Sequence, residues 1–149
     1  MYKTPISVLV VIHTPHLDFL LLERVAHPGY WQSVTGSQED GETLRDTALR
    51  EVAEETGIVV PPQQLRDWRQ SRAYEIFPEW RHRYAPGVTR NTEHLFSLQI
   101  PTHQPIRLAP DEHRGYCWLP AQTAAARCFS ESNRDAILQI AFDATNAPS

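Results

Sequence analysis

Four glutamates and one arginine lie close together in the first half of the chain: Glu42, Arg50, Glu51, Glu54 and Glu55. In a helix, Glu51 and Glu55 lie one turn apart on the same face, with Glu54 beside them. Carboxylates at this spacing repel one another, and hard divalent cations, which prefer oxygen ligands, relieve that repulsion. The spacing therefore indicates a metal site. For the glutamates alone, a solvated helix face with salt bridges is the alternative.

A helix over residues 43–56 is predicted to position these glutamates. Thr43 can accept the N-cap hydrogen bond, Asp46 follows within the first turn, and Gly57 follows the last turn. The apolar residues that recur every fourth position, and would face the core, are Leu44, Ala48 and Val52.

Length and composition predict a small globular protein without a general attraction for polyanions. The 149 residues most simply form one domain, spanning 1–149. The net charge of -4 argues against nucleic acid and anionic membranes as partners. Cys117 and Cys128 fit reduced thiols better than a disulfide scaffold or a metal site. The apolar run at 6–12 is too short to span a bilayer, and a cytoplasmic location without an N-terminal signal is expected.

The rest of the chain predicts a mixture of strands and helices. Residues 6–12 and 19–25 are rich in aliphatic side chains and flank a turn, so they are predicted to form a hairpin. Further strands are predicted at 30–34, 68–77, 93–100 and 116–119. Helices are predicted at 120–127 and 132–144, the second with Ala136, Ile137, Ile140 and Ala141 facing inward.

The glutamate segment also resembles a known family motif. Its pattern is G-x5-E-x7-R-E-U-x-E-E-x-G-U, where U is apolar, matched by Gly36, Glu42, Arg50, Glu51, Val52, Glu54, Glu55, Gly57 and Ile58. This is the Nudix box, so the chain resembles the Nudix hydrolases, which cleave a nucleoside diphosphate linked to another group. The resemblance implies an α/β (mixed α+β) fold, in which a mixed β-sheet is sandwiched between helices and the box forms loop-helix-loop.

A second informative segment, residues 81–93, is a basic and aromatic loop with a turn at Pro86 and Gly87. By composition it could be a solvated loop or a nucleic-acid patch, and the acidic chain disfavours the latter. The segment nevertheless closely resembles a loop of the bacterial dihydroneopterin triphosphate pyrophosphohydrolases of folate biosynthesis. Further matches to that Nudix subfamily lie at 30–37, 75–77, 112–119 and 132–134.

This resemblance implies a site, residue by residue. Glu51 and Glu55 correspond to metal ligands, Glu54 to a nearby ligand or supporting residue, and Glu112 to a further carboxylate of the same cluster. Arg50 and Glu42 are interpreted as orienting these carboxylates. The implied substrate contacts are Lys3 and Arg24 for phosphates, Thr35 as a polar contact, and Tyr74, Glu75, Ile76, Phe77 and Ser130 around the pterin.

The implied reaction is a Mg2+-dependent hydrolysis, with Mn2+ as a substitute. Water deprotonated by a glutamate, either Glu112 or one in the box, attacks phosphorus and releases pyrophosphate and dihydroneopterin monophosphate. The expected partner is a small pterin or nucleoside triphosphate, and the protein is expected to be a monomer. One alternative is a Nudix enzyme acting mainly on nucleoside triphosphates or dinucleoside polyphosphates. A non-catalytic binding module is a further alternative.

Overall fold

The computed structural model describes residues 1–146 and contains seven strands and three α-helices in this part of the chain. The strands are β1 (Ile6–His13), β2 (Asp18–Arg24), β3 (Trp31–Gln32), β4 (Val34–Ser37), β5 (Leu65–Glu75), β6 (Arg90–Gln99) and β7 (His113–Pro120). The helices are α1 (Leu44–Thr56), α2 (Ala121–Arg127) and α3 (Glu131–Asn146), and short 3-10 turns occupy Pro62–Gln64 and Pro78–Arg83. No helix in residues 1–146 is long and apolar enough to cross a membrane.

All seven strands belong to one mixed sheet with β1 near its centre. β1 runs parallel to β6 along its whole length, and β6 pairs antiparallel with β5 at the sheet edge. On the other side β2 pairs antiparallel with β7. The side chains of β1 from Ser7 to His13 are buried, as expected for a strand covered on both faces.

The predicted hairpin of β1 and β2 is confirmed at its turn, where His13 pairs with Phe19. Beyond that pair the two strands separate, and the chain of β3 and β4 enters between them. β3 pairs with β2, β4 pairs with β1, and Ser33 lies where the chain changes partner. The Asn133 side chain accepts a hydrogen bond from the Ser33 backbone N–H (2.7 Å) and donates to its hydroxyl (2.9 Å). Asn133 thus satisfies the polar groups that the partner change exposes.

Helices cover both faces of the sheet, which confirms the predicted sandwich. Alternate residues of β1 point to opposite faces, as the period of a strand requires. On one face Val8, Val10 and Ile12 pack with Ala48 and Val52 of α1. On the other face the core comprises Leu9, Val11, Phe19, Leu21, Leu95, Ala124, Ala125, Cys128, Ala136, Ile137 and Ile140.

The predicted glutamate helix is also confirmed. Thr43 accepts a hydrogen bond from the Asp46 backbone N–H, and Asp46 accepts one from the Thr43 backbone N–H, forming a capping box. Gly57 ends the helix in the left-handed region, at a φ of 78°. In α3, three of the four residues predicted to face inward are fully buried, and Ala141 is partly buried.

Several predicted strand boundaries were wrong. The strand predicted at 30–34 is interrupted at Ser33, and pairing continues to Ser37. β5 begins at Leu65, before an irregularity at which Arg69 has a φ of 53° and its backbone N–H donates to the Asp67 carboxylate. β5 also ends at Glu75, because Ile76 leads into the turn that begins at Pro78. Runs of apolar residues did not reveal these tertiary details.

Candidate active site

A cleft of about 1350 Å³ opens along β1, β4, β5 and β6, beside the C-terminal half of α1. The residues implied as metal ligands or substrate contacts all line this cleft: Lys3, Arg24, Thr35, Glu51, Glu54, Glu55, Tyr74, Glu75, Ile76, Phe77, Glu112 and Ser130. These residues come from seven separate stretches of the chain. The fold therefore brings the implied set together, and the role of each residue stays a prediction.

Arg50 of α1 binds three carboxylates: Glu42, which precedes the helix, and Glu51 and Glu54, which lie in its C-terminal half. Its guanidinium donates to both Glu42 oxygens (2.7 and 3.0 Å), to Glu51 (2.6 Å), to Glu54 (3.3 Å) and to the Ser37 carbonyl (3.0 Å). The hydrogen bonds from Arg50 lower the pKa of Glu42 from its ordinary value of 4.5 to about 2. Each carboxylate that Arg50 binds therefore has a positively charged partner.

Gly36 permits the close approach of Glu51 to the sheet. The glycine pairs with Val8 in the register of β1 and β4, directly beneath the Glu51 carboxylate. A Cβ atom at position 36 would overlap that carboxylate. The glycine of the motif is therefore explained by space and not by backbone conformation, since its φ lies outside the left-handed region.

The acidic side chains around Glu55 have few hydrogen-bond or ionic partners. Glu55, Glu112 and His113 each place one potential ligand atom within 4.8 Å of the others. Glu55 is only 1% exposed, and its Oε1 has no hydrogen-bond partner among residues 1–146. Burial and then Glu51 raise the pKa of Glu55 well above its usual value, and burial, Glu51 and Glu54 raise the pKa of Glu112.

His113 is held by a chain of hydrogen bonds that begins at Arg24. The Arg24 guanidinium donates to the Gln32 carbonyl oxygen (3.2 Å), so the Gln32 amide nitrogen is left to donate to His113 Nε2 (3.4 Å). Burial, then Arg24, lower the pKa of His113 to about 4, so the ring is neutral at pH 7. A neutral ring that accepts at Nε2 carries its proton on Nδ1, which lies 3.9 Å from Glu55 Oε1.

Three cations face the carboxylates across the cleft. Lys3, Arg24 and Arg83 all line it. Burial and then Arg83 lower the pKa of both Lys3 and Arg24, because the positive charges are crowded and partly desolvated. Arg24 Nε is buried and has no hydrogen-bond partner within residues 1–146. An anionic ligand would relieve this repulsion in the same way that a cation would relieve the glutamates.

Aromatic side chains form another part of the cleft wall. Phe77 is 40% exposed and lies against Trp80, with ring centroids 4.9 Å apart. Phe129 contacts both rings edge-on. The exposed edge of this cluster offers a surface for a flat, partly apolar ring.

The remaining residues implied as substrate contacts differ in their exposure and in whether the protein already occupies their hydrogen-bonding groups. The Thr35 hydroxyl donates to the Val8 carbonyl (2.9 Å), and the Ser130 hydroxyl accepts from the Asn133 backbone N–H (3.2 Å) at the start of α3. Ile76 is 3% exposed. Glu75 is largely exposed, 3.8 Å from Arg81. Thus Thr35, Ile76 and Ser130 also have clear structural roles.

Sequence reasoning missed several residues of the cleft. His113 was not among the residues implied for the site, although its adjacency to Glu112, an implied ligand, was a usable signal. Arg83 and Trp80 lie in or beside the basic, aromatic segment, but only the fold shows that they face the cleft. The position of Phe129 next to Ser130 offered a similar signal.

The carboxylates fit a divalent cation on the chemistry of their donors. Glu55 contributes a buried oxygen without a partner, and Glu112 and Glu51 add further carboxylates around it. Oxygen-rich sites of this kind suit hard cations such as Mg2+ and Mn2+. His113 Nδ1 lies 3.9 Å from Glu55 Oε1, beyond hydrogen-bond distance, and both atoms lack a hydrogen-bond partner among residues 1–146.

The mixed sheet between helices, with glutamates of one helix facing a cleft, is the architecture of a Nudix hydrolase. A family model for the NUDIX domain matches residues 3–140, so the chain belongs to the Nudix family, whose members generally depend on divalent metals. The chain is 48% identical to the dihydroneopterin triphosphate diphosphatase of Escherichia coli K12, over 97% of both chains. It is 38% identical to the protein of the same name from Haemophilus influenzae, over 95% of this chain and 90% of that one.

A solved structure agrees with these relatives. The structure of the E. coli dihydroneopterin triphosphate pyrophosphohydrolase superimposes with a TM-score of 0.89 at 48% identity, covering 96% of this chain and 99% of that one. The predicted family and fold are confirmed.

Proposed function

We propose that this protein hydrolyses dihydroneopterin triphosphate to dihydroneopterin monophosphate and pyrophosphate, as a step of folate biosynthesis. The observation that supports this most is the cleft, in which unpaired carboxylates oppose unpaired cations beside an aromatic wall. A pterin triphosphate has matching parts, since its phosphates suit the cations and its ring suits the wall. The names of relatives at 48% and 38% identity point to the same substrate.

Mg2+ is the proposed metal, with Mn2+ as a substitute, held by Glu51, Glu55 and Glu112, with Glu54 at the margin. When bound, the cation neutralises charge that develops on the phosphate oxygens of the leaving pyrophosphate. Arg50 holds one oxygen of Glu51 and so fixes the direction in which that carboxylate points.

The protein groups themselves would bind, orient and accept a proton. Lys3 and Arg24 would contact the phosphates, and Arg83 would add positive charge from the same wall. Glu112 is an exposed side chain of the loop before β7, and one of its oxygens lies within 4.8 Å of a potential ligand atom of Glu55. Glu112 is assigned one of two roles, as a ligand of the cation or as the base that takes the proton from the attacking water; in the first case a glutamate of α1 would be the base.

The competing function is hydrolysis of nucleoside triphosphates or dinucleoside polyphosphates, which share the phosphates but not the ring. The binding-module alternative predicts loss of a motif carboxylate, and all of them are present. One domain over 1–149, a monomeric state and a cytoplasmic location stay predictions, with residues 147–149 outside the described structure.

A substrate panel tests the proposal. Pyrophosphate release would be followed with Mg2+ for dihydroneopterin triphosphate, dATP, ATP, GTP and diadenosine tetraphosphate. The pterin should give the highest kcat/KM, by roughly tenfold or more, because a poorer ring leaves polar groups of the pocket unpaired. A higher kcat/KM for any of the nucleotides would replace the proposed substrate with that class.

A further inference from the structure

The floor of the cleft carries polar side chains that the proposed chemistry does not use. Glu93 of β6 pairs in register with Ser7 of β1 on one side and with Arg72 of β5 on the other. Asn91, two positions earlier on β6, pairs with Tyr74. Because side chains repeat every second residue, these five lie on the same face of the sheet, and all five line the cleft.

Glu93 is a carboxylate without an ion pair among the described residues. The nearest candidate, Arg72, binds Asp135 (2.9 Å) and Glu131 (3.6 Å) of α3 instead. Burial raises the pKa of Glu93, and the Ser132 hydroxyl and the charge of Arg72 only partly oppose this. A half-buried carboxylate on the floor of a cleft is therefore available to accept hydrogen bonds from a ligand.

Asn91 presents a second acceptor beside Glu93. Its amide nitrogen donates to the Ser7 hydroxyl (2.7 Å) and to the Tyr74 hydroxyl (3.1 Å). Its Oδ1 has no partner within residues 1–146, although the side chain is only 1% exposed. A buried, unpartnered amide oxygen is uncommon, and a ligand N–H would satisfy it.

The position of Glu93 suits the ring and not the phosphates. The backbone of Thr35 in β4 lies next to Glu55, at the phosphate end of the site. β4 and β6 flank β1, so the backbones that carry Thr35 and Glu93 lie two strand spacings apart across the sheet, or about 10 Å. A substrate whose phosphates lie at Glu55 would extend its ring toward Glu93 and Asn91.

We propose that Glu93, assisted by Asn91, selects substrates whose ring carries a 2-amino-4-oxopyrimidine edge. That edge places an N–H and an NH2 side by side, two adjacent donors that a carboxylate accepts with its two oxygens. The inference rests on the proposed pterin substrate, but guanine presents the same donors. Adenine presents a ring nitrogen acceptor at the corresponding position, which a carboxylate repels.

The experiment compares Glu93→Gln with wild type on dihydroneopterin triphosphate, GTP and ATP. Glutamine replaces one acceptor with a donor at nearly constant size, so the paired hydrogen bonds to the ring are lost. We expect kcat/KM for dihydroneopterin triphosphate and for GTP to fall by roughly 10- to 100-fold, mainly through KM. The value for ATP should change by less than about threefold, because ATP never made these bonds. Glu79→Gln, an exposed carboxylate outside the cleft lining, is the matched control and should leave all three values unchanged.

A second measurement needs no variant. ITP keeps the ring N–H of GTP but lacks the 2-amino group, so wild type should prefer GTP over ITP by roughly tenfold. Equal kcat/KM for GTP and ITP in wild type, or an equal loss for all three substrates in Glu93→Gln, would overturn the assignment. Failure of the proposed function is a separate result. In that case one of the nucleotides of the panel would be a better substrate than the pterin for the unmodified protein.

Discussion

The two ends of the glutamate cluster on α1 are built in opposite ways. At one end, Arg50 donates five hydrogen bonds, and every carboxylate it reaches has a positive partner. At the other end, Glu55 is almost fully buried beside Glu51, and its Oε1 has no partner among residues 1–146. Glu51, which Arg50 holds, and Glu55 lie about one helical turn apart on α1.

The presence or absence of a positive partner distinguishes carboxylates that stabilise the structure of the site from carboxylates that are available to bind a ligand. A carboxylate paired with arginine has its charge stabilised by the protein alone, as the lowered pKa of Glu42 shows. A buried carboxylate with a raised pKa is destabilised in its charged form until something else neutralises it. The same sequence motif thus contains glutamates that are held by Arg50 and a glutamate, Glu55, that is free to bind a ligand.

The largest expected effect comes from removing the charge at the unpaired end. Glu55→Gln should lower kcat at saturating Mg2+ by at least about a hundredfold, or roughly 2.7 kcal/mol of barrier, because an anionic ligand is lost. The metal-free protein should melt no lower than wild type, since burial and Glu51 already disfavour the charge of Glu55. Pyrophosphate release and thermal melting in EDTA measure the two quantities. Wild-type turnover in Glu55→Gln would rule out its assignment as a ligand.

Glu112→Gln tests the carboxylate that comes from outside α1. Its kcat should fall by about a hundredfold or more, while the free energy of unfolding changes by less than about 0.5 kcal/mol, because the side chain is exposed. The pH-rate profile separates two roles. Loss of the acidic limb indicates a base, whereas a normal profile with weaker Mg2+ affinity indicates a ligand. Unchanged kcat would leave the chemistry to the glutamates of α1.

The smallest effect is expected at the paired end, where Glu42→Gln should act on stability. The pKa of Glu42 is lowered on folding, from 4.5 to about 2, so the carboxylate stabilises the folded state above pH 4.5. This stabilisation is lost as the pH falls from 4.5 to 2. Because solvent screens the network, we expect Glu42→Gln to cost about 1–2 kcal/mol at pH 7. Urea unfolding at several pH values should show the two proteins converging below pH 4. A constant difference down to pH 2 would contradict this origin.

Much of this comparison could be predicted from sequence, because it depends on local spacing. The α1 cap at Thr43 and the end at Gly57 follow from the capping preferences of these residue types, and the shared face of Glu51 and Glu55 follows from a period of 3.6 residues. The motif also implied that Arg50 would orient its neighbours. What spacing could not supply was which carboxylate has an arginine and which does not.

The rest required the tertiary structure. β3 and β4 enter between β1 and β2, a rearrangement that leaves no trace in the apolar pattern of the hairpin. Likewise, His113 and Glu55 meet only because β7 pairs with β2 across the sheet. The row of Glu93 and Asn91 on the cleft floor depends on strand register, because a shift of one residue would turn both side chains to the other face of the sheet.

Manganese binding tests the contrast between the two ends most directly. Mn2+ affinity can be measured by electron paramagnetic resonance for wild type, Glu55→Gln and Glu42→Gln, without substrate. We predict that Glu55→Gln weakens binding at least about a hundredfold, and that Glu42→Gln, which only supports the ligands, weakens it by no more than about tenfold. Wild-type affinity in Glu55→Gln, or a larger loss in Glu42→Gln, would contradict the assignment of the unpaired end as the metal site.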